Sequence, residues 1–327
     1  MSLLNANIND IVATTIELRS KDVADSVTAN NALLRSMSER GNIELASGGY
    51  EIRETLSFAE NGNGGSYSGY DPLPTGAQDG LTAAQFQWAQ YAVPVAISGR
   101  EIAMNAGPAA MINLVKERVK IAEATMKNLL NRHLYLDGTG NNGKNLTGLA
   151  AAVPLVSTNV YGGIDRSVAA NAVWRNTKFQ ATVDGAGVAT AATLQAYWNT
   201  FFLSNVRGSD KPTIIVAAQN LYSLFQASLQ PQQRFMDSKK AEAGFGVNEL
   251  MFMGTPVVFE PVSSGITTSQ AYFLNTDYLK WRPHADNNMV ALDDKQSINQ
   301  NATVKTLVWM GNLTCSGSKF QGIFSNT

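Results

Sequence analysis

The stretch Gly138-Thr139-Gly140-Asn141-Asn142-Gly143-Lys144 is where residue types and spacing come closest to phosphate chemistry. Gly138 through Gly143 satisfies the Gly-x-Gly-x-x-Gly dinucleotide pattern, and Gly138 through Lys144 nearly satisfies the phosphate-loop pattern. Both motifs place their glycines between a buried strand and the N-terminus of a following helix, whose free amides and dipole hold the phosphate. Here the order is reversed. A helical pattern precedes the glycines, and Asn145-Leu146-Thr147-Gly148-Leu149 follows with no helical run directly behind it. Asn145 also stands where magnesium binding needs Ser or Thr. The context favours a glycine-terminated helix in which Gly138 is left-handed and Lys144 is solvated. A nucleotide-binding enzyme is the alternative.

Other reactive residues are sparse. His133 and His284 are isolated, and the sequence holds no His-Glu-x-x-His, paired Cys-x-x-Cys or Gly-x-Ser-x-Gly pattern. His133 reads as a helix-end residue. Cys315, the only cysteine, lies in a strand-like stretch and reads as a structural thiol; pairing it with either histidine is the catalytic alternative. Asp286, Asp293 and Asp294 sit in polar, loop-like sequence that lacks the calcium-loop pattern, so solvated turn residues are the expectation. Trp88, Trp174, Trp198, Trp281 and Trp309 are spread one per segment without an interleaved basic cluster, as packing anchors would be. The expectation is no catalytic residue, no metal and no cofactor.

With 327 residues, 44% of them hydrophobic, the chain can bury about three quarters of its unfolded surface. Its net charge of −1 gives no global attraction to nucleic acid, so any contact with DNA should be local. One cysteine excludes an intrachain disulfide, and no apolar run is long enough to span a bilayer. We expect no export signal and no membrane partner.

The elements that would position these residues begin with a polar helical segment over residues 8–40, closed by Gly41. Its apolar stripe (Ile8, Val12, Ile16, Val23, Val27, Leu33, Met37) is narrow, which suits an arm lying across a surface. From Ile43 the period changes to two: Tyr50, Ile52, Leu56 and Phe58 alternate with Glu51, Arg53, Thr55 and Ser57. Residues 86–98 form a second strand-like run, and together the two predict a long hairpin. Between them residues 60–85 are rich in Gly, Asn and Ser, with Tyr67, Tyr70, Pro72 and Pro74 interspersed; this is either a disordered loop or an interaction loop.

Residues 107–134 predict one amphipathic helix of about 42 Å. Ile112, Val115, Val119, Ala122, Met126 and Leu129 form its apolar stripe, widened by Leu114, Ile121, Leu130 and Leu134. Lys116, Arg118, Lys120, Lys127 and Arg132 interleave with Glu117 and Glu123, the pattern of a solvated or ion-paired face, with a DNA-facing row as the alternative. Beyond it the pattern predicts helices over 191–206 and 219–229. Strands are expected over 213–217, 250–253, 257–260, 271–274, 303–310 and 318–324. This irregular order predicts an α+β fold.

The order of elements, with Leu134-Tyr135-Leu136-Asp137-Gly138-Thr139-Gly140 and Gly148-Leu149, Gly163-Ile164-Asp165-Arg166-Ser167 with Trp174-Arg175, Gly254-Thr255-Pro256-Val257-Val258 and Tyr272-Phe273-Leu274, resembles the major capsid proteins of tailed bacteriophages. The resemblance covers nearly the whole chain and implies the α+β Hong Kong 97-like capsid fold. It implies an N-terminal arm over 1–42, an extended loop over 43–100, a peripheral domain over 101–149 and 290–327 with 107–134 as its spine, and an axial domain over 150–289. The implied function is structural: self-assembly through hexamers and pentamers into an icosahedral virion shell that encloses double-stranded DNA without reading its sequence. Assembly would occur in the host bacterial cytoplasm. An encapsulin-like compartment is the nearest alternative. Implied partners are further copies of the chain, a portal, a separate scaffolding protein and a possible decoration protein. Implied inter-subunit contacts are Tyr67, Tyr70, Pro72 and Arg53 in the loop, with Ile8 and Val12 in the arm. Some relatives weld subunits through a lysine in the extended loop, but no lysine lies between Arg53 and Arg100.

Overall fold

A computed structural model describes residues 31–59, 61–72, 75–77, 80–98, 100, 108–233, 250–292, 295–296 and 302–327. Ile8, Val12, Pro74, Asp293 and Asp294 lie outside the described residues. The first described helix, α1 (Ala32–Glu39), starts at Asn31, whose Oδ1 accepts from the amides of Leu33 and Leu34 at 3.0 and 3.2 Å. This side chain satisfies two of the free donors at the helix start. Leu33, Leu34 and Met37 are fully buried, so this part of the expected surface arm is a core element.

The alternating segment forms strand β1 (Ile52–Ser57), and its partner is β2 (Leu81–Phe86), paired antiparallel with Ile52 opposite Phe86 and Ser57 opposite Leu81. The expected hairpin is therefore present with a different second arm. The run expected to be that arm is strand β3 (Ala89–Ser98), which pairs instead with β13 (Ala302–Cys315), more than two hundred residues away. β3 pairs on one side alone among the described residues, an edge position of the kind at which a proline such as Pro94 is tolerated.

The long helix α2 (Pro108–Leu134) has the expected extent. Val119, Ala122, Met126, Leu130 and Leu134 are buried. Ile121 is exposed while Glu123 is buried, so the stripe is rotated away from Ile121. After it come a small hairpin, β4 (Val160–Tyr161) and β5 (Ile164–Asp165), and strand β6 (Thr177–Gln180). Helix α3 (Leu194–Ser204), strand β7 (Ile214–Ala218) and helix α4 (Gln219–Gln233) follow where the pattern predicts them. Strands β8 (Met251–Phe252) and β9 (Thr255–Glu260) flank a turn in which Met253 and Gly254 have φ of 48° and 78°. The remaining strands are β10 (Gln270–Leu274), β11 (Leu279–Ala291), β12 (Lys295–Gln296) and β14 (Gly322–Ser325).

Two sheets organise the chain. The larger has the order β6-β14-β10-β7-β9-β8, and β7 is buried at all five positions because it lies inside it. One face is covered by α3 and α4, where Trp198, Phe201, Phe202, Leu221 and Phe225 pack on Ile215, Ala217, Phe273 and Phe324. The opposite face, carrying Ile214, Val216, Tyr272 and Ile323, shares a core with α1, α2 and the second sheet. In that second sheet β13 lies between β3 and the successive strands β11 and β12. Asp286 is not in a loop as expected; it lies within β11, where the register with β13 shifts between Pro283 and Asn288. Among the described residues no helix is long and apolar enough to cross a membrane.

Candidate assembly interface

The glycine turn is built from the end of α2. Gly138 has φ 83° and Asp137 Oδ1 accepts from the Thr139 amide and hydroxyl at 3.0 and 2.8 Å, which turns the chain away from the helix axis. A Cβ on Gly138 would lie 3.0 Å from the Leu146 oxygen, and one on Gly148 would press on the carbonyl oxygens of His133, Leu134 and Leu136. Both glycines therefore serve close packing of backbone onto the carbonyl end of the helix. That end carries negative partial charge and repels phosphate. Lys144 is exposed, as expected of a solvated side chain.

Tyr91 fastens the turn. Its hydroxyl accepts from the Leu146 amide at 2.9 Å and lies 2.7 Å from His133 Nδ1, while the Thr147 amide donates to Asn312 Oδ1 at 2.9 Å. Burial holds His133 below the usual histidine range, with Arg132 adding to the effect, so the neutral imidazole can accept a hydrogen bond from the Tyr91 hydroxyl. Burial pushes the Tyr91 phenol up to about 12. His133 is thus both a helix-end residue and part of this latch.

The β1–β2 ribbon is covered along one face, where Ile52, Glu54, Leu56, Ala84 and Phe86 are buried, and its other face is open. At its base Arg282 Nε meets Glu54 at 2.6 Å, Thr314 donates to the same carboxylate at 2.8 Å, and Arg282 and Lys280 reach Glu44 at 3.0 and 2.7 Å. The Lys280 ammonium is the main cause holding the Glu44 carboxyl below its usual range. Glu54 was not among the expected functional residues. Its position between Ile52 and Leu56, on the inward face, is the signal that a buried partner must exist. Further out the ribbon opens to solvent: Leu81 is 67% exposed, and in the connecting loop Tyr67 and Tyr70 are 67% and 104% exposed. Pro72 is exposed as well, and Arg53, also exposed, pairs with Glu51 at 2.7 Å.

A second missed residue is Arg166, which is fully buried. Its guanidinium donates to Ala152 O at 2.9 Å, Ser318 Oγ at 2.7 Å, and Asn159 Oδ1 and Asn176 Oδ1 at 3.3 and 3.5 Å. It lies 4.7 Å from the Tyr161 ring centroid and 5.8 Å from that of Trp174. One planar cation thus joins four separate segments. Cys315 is buried and burial pushes its thiol up to about 11, the state of a structural thiol. Trp174, Trp198, Trp281 and Trp309 are buried packing anchors, and half-buried Trp88 donates to Gly49 O at 2.9 Å.

No protein-family model and no curated protein matches the sequence. Solved structures do match. The cyanophage A-1(L) capsid asymmetric unit superposes with TM-score 0.60 at 13% identity, covering 88% of this chain and 90% of that one. Microbacterium phage Oxtober96 gives TM-score 0.54 at 8% identity, with 90% of each chain covered. The capsid of Myoviridae phage XM1 gives 0.51 at 11%, covering 88% and 90%. The chain therefore has the fold of phage major capsid proteins, the α+β Hong Kong 97-like architecture that its order of elements implied.

Proposed function

We propose that the chain is a structural subunit that assembles with copies of itself, through hexamers and pentamers, into an icosahedral phage head enclosing double-stranded DNA. One observation carries this reading: a capsid fold whose ribbon is covered by its own subunit on one face only and continues into a loop with exposed aromatic side chains. A surface of that kind gains stability by burial against another chain. Closed symmetry multiplies a small energy per contact over many copies. In this reading Tyr67, Tyr70, Pro72 and Arg53 meet a neighbour, α2 is the spine of the peripheral domain, and the six-stranded sheet is the centre of the axial domain. In the same reading β11, which pairs with β13, goes with the peripheral domain, and β14, which pairs with β10, goes with the axial one. A portal, a separate scaffolding protein and a decoration protein complete the set of partners, and the virion is the location.

Electron microscopy of the purified protein, alone and after co-expression with its neighbouring head genes, tests the proposal. Shells or capsomer rings are expected; uniformly monomeric particles in both preparations contradict it. With no lysine in the loop, purified particles should run as single subunits on a denaturing gel. A ladder of covalent multimers would overturn that expectation.

A further inference from the structure

We infer that the cleft enclosed by α1, the end of α2 and the turn after β9 is a binding site for a phosphate oxyanion. The cleft has a volume of about 690 Å³, and Arg35, Asn128, Asn131, Arg132 and Ser263 present donors along it. The α2 lysines and arginines whose side chains are described sort into two groups. Lys120 is paired with Glu117 at 2.9 Å, Arg118 donates to the Ala96 carbonyl, and Lys127 is engaged as well. Arg132 has no partner among the described residues, and neither has Arg35 across the cleft. Two unpaired guanidiniums on one cleft are a donor set suited to an oxyanion, which each can bind through two parallel hydrogen bonds.

The walls are preformed. Gly265, at φ 92°, brings the turn at Pro261–Ser264 so close to the helix end that a Cβ there would lie 2.9 Å from Arg132 O. The one carboxyl in the wall, Glu260, is buried and accepts from Tyr135 at 3.3 Å. Burial pushes its pKa up. The site lies within one subunit and does not depend on the shell reading.

The ligand source is either the phosphodiester backbone of a nucleic acid or free phosphate, and two titrations separate them. A fluorescent 20-bp duplex of two unrelated sequences is followed by anisotropy at several salt concentrations, and inorganic phosphate by ³¹P NMR. Duplex binding of equal strength for both sequences is expected. Arg35→Ala and Arg132→Ala should each weaken it about five- to tenfold and lower the slope of log K against log salt by about 0.9. Arg35→Lys and Arg132→Lys keep the charge and should restore part of the binding if the alanine variants misfold. Lys120→Ala, outside the cleft, should change nothing. Binding of phosphate alone, lost in both alanine variants, supports the site with free phosphate as its ligand. Binding of neither probe, or binding unchanged in both alanine variants, overturns it.

Discussion

In the six-stranded unit Trp198 packs against Phe225, Phe252 and Phe273 with ring centroids 4.9, 5.4 and 5.4 Å apart, whereas along the ribbon and its loop Tyr50, Tyr67 and Tyr70 stand in solvent. Both regions are rich in large side chains, yet those of the sheet hold one subunit together while these three tyrosines find no comparable cover within it. Apolar burial is non-directional, so the same side chains can drive folding or association according to where the backbone puts them. Here the backbone separates the two uses. The ion pairs of Glu54 and Glu44 with Arg282 mark the border between them.

Substitutions on either side of that border should behave differently in the isolated subunit. The largest loss is expected from Trp198→Ala, about 3–5 kcal/mol by denaturant unfolding, because the aromatic cluster keeps a cavity that cannot collapse. An unchanged midpoint would show that this cluster does not hold the subunit together. Arg166→Met comes next, at about 2–3 kcal/mol, since four acceptors lose their donor inside the protein. Arg166→Lys should recover only part of it, because an ammonium cannot reproduce the planar fork.

A smaller, pH-dependent effect belongs to the latch at the glycine turn. The folded state depresses the His133 pKa, so its contribution is present above the ordinary histidine range and is lost as pH falls through the lower folded value. Protonation also ends the acceptor role of Nδ1 toward Tyr91. Melting temperature should therefore fall as pH drops below the ordinary histidine value of about 6.5, and less steeply in His133→Gln. The Glu44 carboxyl is depressed too, so its share is lost at lower pH, below the carboxylate range, and the two can be told apart. Smallest of all is the effect of Tyr67→Ser with Tyr70→Ser on subunit stability, within about 0.5 kcal/mol. The same double variant should abolish or sharply reduce assembly, and sedimentation velocity beside thermal unfolding reads both quantities. A double variant that unfolds easily, or assembles normally, breaks the contrast.

Legibility in the sequence followed the range of the interactions. α2 could be read to within a residue because its determinants repeat every three or four positions, and the glycine turn because the chain order alone distinguishes a helix end from a helix start. Strand partners could not be read. β3 alternates as clearly as β2, and nothing local says that Ala89–Ser98 joins β13 while Leu81–Phe86 closes the ribbon. Burial of α1 was missed for a related reason: Leu33, Leu34 and Met37 make a narrow stripe, and width says little about a helix held between two sheets. Ile121 and Glu123 exchanged their expected exposures because the packing of α2 rotated its stripe. Arg166 was visible only as part of a familiar passage, since its acceptors come from Ala152, Asn159, Asn176 and Ser318 and converge only in three dimensions. Of the surfaces offered to a neighbour, the aromatics of the loop were legible, and the carboxylate that fixes the ribbon was not.

The central claim is that the ribbon and loop are the part of the subunit completed by another copy. A reconstruction of assembled particles by cryo-electron microscopy, at a resolution that traces single chains, tests it most directly. The account predicts shells in which β1, β2 and the loop carrying Tyr67 and Tyr70 lie across an adjacent subunit. Particles in which the ribbon contacts only its own chain would contradict it.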